Sequence, residues 1–110
     1  MLTIDGNNNI TLTRGDTLTL TVELTKDGET YVPEEGDVIR FAVSKGYLGE
    51  PGYEFKFEKI IPHDTLTFTC SSVETTLDYR SYNYDIQVTH PDNCVDTFIS
   101  AKMQITGEVK

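Results

Sequence analysis

Two histidines, two cysteines and a surplus of carboxylates are the side chains of this 110-residue sequence that could carry acid–base, nucleophilic or metal chemistry. His63 stands in Pro62-His63-Asp64 and His90 in His90-Pro91-Asp92. A histidine beside an aspartate can act as a general base, and paired with Cys70 or Cys94 it would activate a thiolate. Both strings are turn formers, however, so both histidines are expected to be solvated turn residues. There is no Gly-x-Ser-x-Gly elbow, phosphate loop or metalloprotease motif, and Gly6-Asn7-Asn8-Asn9 lacks the spacing of a dinucleotide fingerprint. The chain is therefore expected not to be an enzyme, and no catalytic residue or cofactor is assigned.

Calcium is the metal whose chemistry the acidic loops suit best. Hard oxygen ligands gather in Asp5-Gly6-Asn7-Asn8-Asn9, in Glu34-Glu35-Gly36-Asp37 and in Asp92-Asn93 with Asp96. None of these matches an EF-hand loop, so they read as solvated turns and no metal site is expected. Cys70 and Cys94 lack metal-type spacing, and the segment from Met1 to Gly6 has neither a basic n-region nor an apolar run. The chain is expected to be made without export, with both cysteines as free buried thiols. In that setting Arg14-Gly15-Asp16 is hairpin chemistry and not an integrin ligand, and the Asn9-Ile10-Thr11 glycosylation acceptor has no meaning.

Charge narrows the partners. Eighteen Asp and Glu against nine Lys and Arg give a formal charge of −9, which repels nucleic acid and anionic membranes. No apolar run approaches the roughly 18 residues a membrane helix needs. At 37% hydrophobic and 25% charged, the composition is that of a globular chain, and its length is that of one domain, residues 1–110.

The elements that would position any site are strands. From Thr17 to Thr25 every even residue is aliphatic, so Leu18, Leu20, Val22 and Leu24 face a core. Ile10 and Leu12 precede them, with Arg14-Gly15-Asp16 as the break. Lys26-Asp27-Gly28-Glu29 predicts a tight hairpin turn, and Tyr31-Val32-Pro33 a short edge segment. Asp37–Lys45 reads as a central strand with Ile39, Phe41 and Val43 on one face and Val38 and Ala42 on the other. Tyr53, Phe55 and Phe57 alternate with Glu54, Lys56 and Glu58, and Leu66, Phe68 and Cys70 follow as inward residues. Ser71 to Ser81 breaks the alternation and has room for one helical turn. Tyr82, Tyr84, Ile86 and Val88 resume it, and Val95, Ile99, Ala101, Met103, Ile105 and Val109 share a parity. Seven or eight short strands with turn signals between them predict an all-β, antiparallel sandwich. Asp78 followed four residues later by Tyr82, with Tyr84 where a cysteine would stand, matches the tyrosine corner of the immunoglobulin-like fold, whose phenol bonds backbone slightly upstream.

Three strings carry a resemblance: Ile10-Thr11-Leu12-Thr13-Arg14-Gly15-Asp16 running on to Val22, Tyr82-Asn83-Tyr84-Asp85-Ile86-Gln87-Val88, and Asp96-Thr97-Phe98-Ile99 running on to Thr106. Together they resemble the N-terminal domain of phage baseplate upper proteins and related small prophage proteins of Gram-positive bacteria. The resemblance spans about Asn9 to Val109. It implies a virion structural protein of baseplate, tail or head fibre, present in the host cytoplasm during assembly. Its partners would be other virion proteins or further copies of itself. Gly15, Asp78, Tyr82 and Tyr84 would then be fold determinants, and Asp85 would lie on the face opposite the two tyrosines. Where the family often has glycine before the last strand, this chain has Ala101, from which a straighter strand is expected.

The loop Lys45-Gly46-Tyr47-Leu48-Gly49-Glu50-Pro51-Gly52-Tyr53 is the candidate contact surface, with Tyr47, Leu48 and Tyr53 as the aromatic and apolar types that interfaces favour. The competing reading is an immunoglobulin-like module for carbohydrate, with Tyr47, Tyr53 or Tyr79 as stacking platforms.

Overall fold

The computed structural model describes residues 2–107, so Val109 lies outside the described residues. The chain is all-β. A six-stranded sheet carries the order β1 (Leu2–Ile4), β2 (Ile10–Thr13), β10 (Val95–Thr106), β9 (Ser81–Thr89), β6 (Val38–Lys45) and β7 (Glu54–Ile61). A separate ribbon pairs β3 (Leu18–Thr21) with β8 (Thr67–Cys70), and β4 (Thr25–Lys26) with β5 (Glu29–Thr30) closes a small hairpin. Pairing is antiparallel except between β2 and β10, which run parallel, so the sheet is mixed and not purely antiparallel as expected. The ten strands exceed the expected seven or eight because β1, β4 and β5 are too short to show periodicity.

One core joins the large sheet to the ribbon. Ile39, Phe41 and Val43 of β6, Tyr82, Tyr84, Ile86 and Val88 of β9, and Met103 and Ile105 of β10 are buried on the inner face. Leu18, Phe68 and Cys70 of the ribbon complete it. Phe41 sits between them: its ring centre lies 4.8 Å from Phe68, 5.3 Å from Tyr84 and 6.1 Å from Phe57. On the ribbon's solvated face Thr19 meets Thr69 at 3.1 Å and Thr21 meets Thr67 at 2.7 Å, cross-strand hydroxyl pairs that use the β-branched shape of threonine.

Burial follows the sequence alternation further than hydrogen bonding does. Leu24 is buried, yet β3 stops at Thr21: the Val22 amide still donates to the Leu66 carbonyl at 2.8 Å, but Leu66, with φ of 54°, ends the ladder there. Elsewhere bulges reverse the faces. A register shift beside Val43 places Phe57 opposite Val43 on the inner face and Phe55 opposite Ser44 on the outer one, so Phe55 is exposed. A second shift, between Thr97 and Ile99, sends Val95 outward and Asp96 inward, which corrects the shared parity expected of β10. Tyr31 to Pro33 forms no strand, and the segment after β8 closes one helical turn, the Thr75 amide donating to the Ser71 carbonyl at 3.1 Å, before the chain runs on to β9. In that turn Glu74 accepts from the Ser71 amide while Ser71 accepts from the Glu74 amide, a helix-start box around a single turn that does not continue.

The turns obey their residues. Asp27 and Gly28 both have positive φ, as a two-residue hairpin of this twist requires. Gly15, at φ of 81°, turns the chain between β2 and β3. Tyr82 donates its phenol hydrogen to the Asp78 carbonyl at 2.9 Å, and Tyr84 donates to the Asn8 carbonyl. Replacing Tyr82 by Phe keeps the packing and removes the first of these bonds. It is expected to cost about 1 kcal/mol in a denaturant titration, whereas Phe41→Ala is expected to cost about 3–5 kcal/mol. Equal effects of the two variants would show that the ring cluster is not what joins sheet to ribbon.

Candidate functional site

His90 is not a solvated turn residue. The turn after β9 puts its ring between the loop before β6 and strand β10, where Nδ1 lies 3.0 Å from Asp37 Oδ1 and Nε2 lies 2.9 Å from Asp96 Oδ2. Ionised carboxylates only accept, so the protonated ring, in which both nitrogens donate, is the form these contacts favour. Asp37 is the inner partner, with its side chain 3% exposed. Its Oδ2 accepts the Tyr31 phenol at 2.6 Å and the Glu34 amide at 3.0 Å. Asp96 also accepts Lys26 Nζ at 3.3 Å, and Tyr31 packs edge-on to His90 and against Phe98. The Asp96 and Asp37 hydrogen bonds raise the His90 pKa above its ordinary 6.5. Asp37 is held low chiefly by the Tyr31 phenol, and that bond pushes Tyr31 up to about 12. Both ring nitrogens are thus engaged by carboxylates of this chain.

The other candidates are equally occupied. Asp5 accepts the Asn7 and Asn9 amides at 2.9 and 3.0 Å, and Asp92 accepts the Cys94 amide at 3.0 Å, so both carboxylates serve their own turns. Among the described residues no group of three or more His, Cys, Asp or Glu is placed to hold a metal ion. The two carboxylates on His90 approach opposite edges of its ring and do not converge on one point. His63 is exposed in the turn between β7 and β8. Both cysteines are free, but only Cys70 is buried, its thiol pushed up to about 11 by burial. Cys94 is exposed, contrary to expectation, and hydrogen bonding to Asp92 raises its pKa too. Neither thiol is activated.

What stands open is the outer face of the large sheet beside the contact loop. Ala42, Asp85 and Ser100 lie in one row across β6, β9 and β10, and Ser44, Asn83 and Lys102 lie in the next. The small residues make a low floor, and Tyr47 and Leu48 rise beside it as a wall, enclosing a groove of about 120 Å³. Leu48 is 84% exposed and Tyr47 52%, while Tyr53 is half-buried where the loop returns to β7. Lys102 places Nζ 5.3 Å from the Tyr47 ring centre and donates to Asn83 Oδ1. Asp85 faces this groove, opposite Tyr82 and Tyr84, and its Oδ1 is buried without a hydrogen-bond partner. Burial pushes its carboxyl pKa up, with the Arg40 charge pulling the other way. Arg40 itself is engaged along the next row, donating to Gln87 Oε1 at 3.0 Å and pairing with Glu58 at 3.3 Å.

Tyr79, the remaining stacking candidate, has Arg14 5.6 Å from its ring centre and Gly107 packed close by. A larger groove of about 260 Å³, lined by Ile4, Leu20, Val22, Ile86 and Ile99, is mainly apolar, and the Tyr84 phenol on its wall is already bonded to Asn8. The His90 clamp and the Asp85 floor both escape sequence reading. Asp37 and His90 are 53 residues apart, and the outward Asp85 looks like any solvated strand residue. The sequence matches no family model and no curated protein.

The clamp sets a pH dependence of known sign. Because the folded His90 pKa lies above 6.5, its contribution is complete below that value and is lost as pH rises through the folded pKa. Asp37 and Asp96 are held below 3.8, so theirs is present above 3.8 and lost as pH falls. Denaturation midpoints of the wild type are expected to decline on the alkaline side of 6.5, and those of His90→Gln to decline less. Parallel midpoint curves for the two proteins would refute the clamp.

Proposed function

We propose that this chain is a non-catalytic docking domain of a phage or prophage particle, acting through contacts with other virion proteins or with copies of itself. The observation that carries the reading is the contact loop. It presents Leu48 and Tyr47 to solvent from a backbone that is already fixed. Glu50 accepts the Tyr47 amide at 2.9 Å, Tyr47 O accepts the Glu50 amide at 3.0 Å, and Glu50 O accepts the Tyr53 amide at 3.2 Å. Gly46, Gly49 and Gly52 take the positive φ values that make this course possible. An exposed apolar tip that needs no ordering on contact keeps more of its burial energy for binding. The finer fold reading, an immunoglobulin-like sandwich, suits this role because its loops project from a rigid frame. The −9 charge keeps unassembled copies soluble, in keeping with a protein that waits in the host cytoplasm and ends in the virion.

Two features favour docking over the carbohydrate reading. One face of Tyr47 is occupied by Lys102, and the adjoining groove of about 120 Å³ is below the roughly 300–1,000 Å³ of small-molecule sites. Light scattering across a wide concentration range tests the proposal. The wild type is expected to exceed its 12.4 kDa monomer mass as concentration rises, and the Tyr47→Ser, Leu48→Ser double variant to stay at it. Unchanged association in the double variant would remove the loop from the interface. A strictly monomeric wild type would remove self-assembly and leave docking to a different protein.

A further inference from the structure

We infer that the groove beside the contact loop is a socket for a single lysine side chain of the docked protein, with Asp85 as its counter-charge. The inference rests on the docking reading above and names the chemistry of the partner. Burying a carboxylate oxygen with nothing to bond is costly, and sheet faces normally avoid it. Here the cost stands at the centre of the floor, where Ala42 and Ser100 flank Asp85 in its row and neither supplies a bond to the buried oxygen. Of the nearby cations, Arg40 is committed to Gln87 and Glu58, and Lys102 to Asn83 and the Tyr47 ring. A cationic group entering the groove from outside would stand beside the Asp85 carboxylate as its counter-charge.

Size and geometry select the cation. At about 120 Å³ the groove is small, with room for the end of one side chain. A guanidinium binds a carboxylate best in a fork that uses both oxygens, but Oδ1 is closed off. An ammonium is a compact point charge that needs no fork. Its methylene stem would lie against Leu48 and Tyr47. The chain already shows this chemistry at the end of the groove, where the Lys102 ammonium sits between the Tyr47 ring and Asn83 Oδ1. The net charge of −9 favours the approach of a basic partner.

The test uses the full chain and Nα-acetyl-lysine methylamide as probe, followed by amide NMR shifts. Shifts are expected at Asp85, Ser100 and Tyr47, saturating in the millimolar range, with none from the norleucine analogue and at least a tenfold loss of affinity in Asp85→Asn. Asp85→Asn is also expected to unfold at a temperature equal to or above that of the wild type, since it removes the charge from a carboxylate with a buried, unbonded oxygen; a purely structural Asp85 would lower it. Shifts that persist in Asp85→Asn, or that norleucine reproduces, would overturn the inference, as would no shift at all. None of those outcomes touches the light-scattering test of the loop, so the socket can fail while the docking reading stands.

Discussion

Phe41 is the point at which two separately hydrogen-bonded parts of the molecule become one body. The six-stranded sheet and the β3–β8 ribbon share no ladder, so side-chain packing is what joins their facing surfaces, with the Lys59–Glu74 ion pair at its margin. Phe41 lies on the inner face of β6, one strand in from the sheet edge, and packs against Phe68 of the ribbon, Phe57 of β7 and Tyr84 of β9. Aromatic rings bring large buried area with few rotatable bonds, which suits a junction that backbone pairing does not reinforce. Leu18, Cys70 and Leu24 then close around it.

With the inner face committed to that junction, the outer face is free to be polar. There the rows of β6, β9 and β10 alternate between satisfied and unsatisfied chemistry. Arg40, Gln87 and Thr97 form a connected ladder, whereas the adjoining row leaves Asp85 Oδ1 buried and unbonded. The loop from Lys45 to Tyr53 rises next to that row because β6 and β7 are joined there, and the glycines let it turn tightly enough to set Leu48 and Tyr47 at the groove's edge. Position and chemistry therefore coincide: the exposed apolar tip and the orphan carboxylate border one cavity.

The two histidines illustrate how context changes a residue's role. His63 sits exposed in its turn, while His90, in a turn of similar composition, is gripped on both ring nitrogens. The difference is the bulge in β10, which rotates Asp96 to the inner side, together with the Asp37 loop arriving from the start of β6. The clamp ties the β4–β5 hairpin, through Lys26, to the sheet, through Asp96. That is a structural duty, served by both ring nitrogens at once.

Periodicity in the sequence determined which residues are buried along β2, β3, β6, β8 and β9, because alternation is a local property that any pleated strand must obey. Local chemistry likewise determined the Asp27-Gly28 hairpin, the Gly15 turn and the bond from Tyr82 to Asp78, since each is contained within a few consecutive residues. Only the tertiary structure decided the rest. The bulges that turn Phe55 and Val95 outward depend on the partner strand's register, and the parallel β2–β10 pair joins residues about ninety positions apart. The His90 clamp and the Asp85 groove depend on long-range pairing in the same way. A single strand's pattern carries its faces but not its neighbours, so chemistry assembled from several strands is written in the pairing and not in the string.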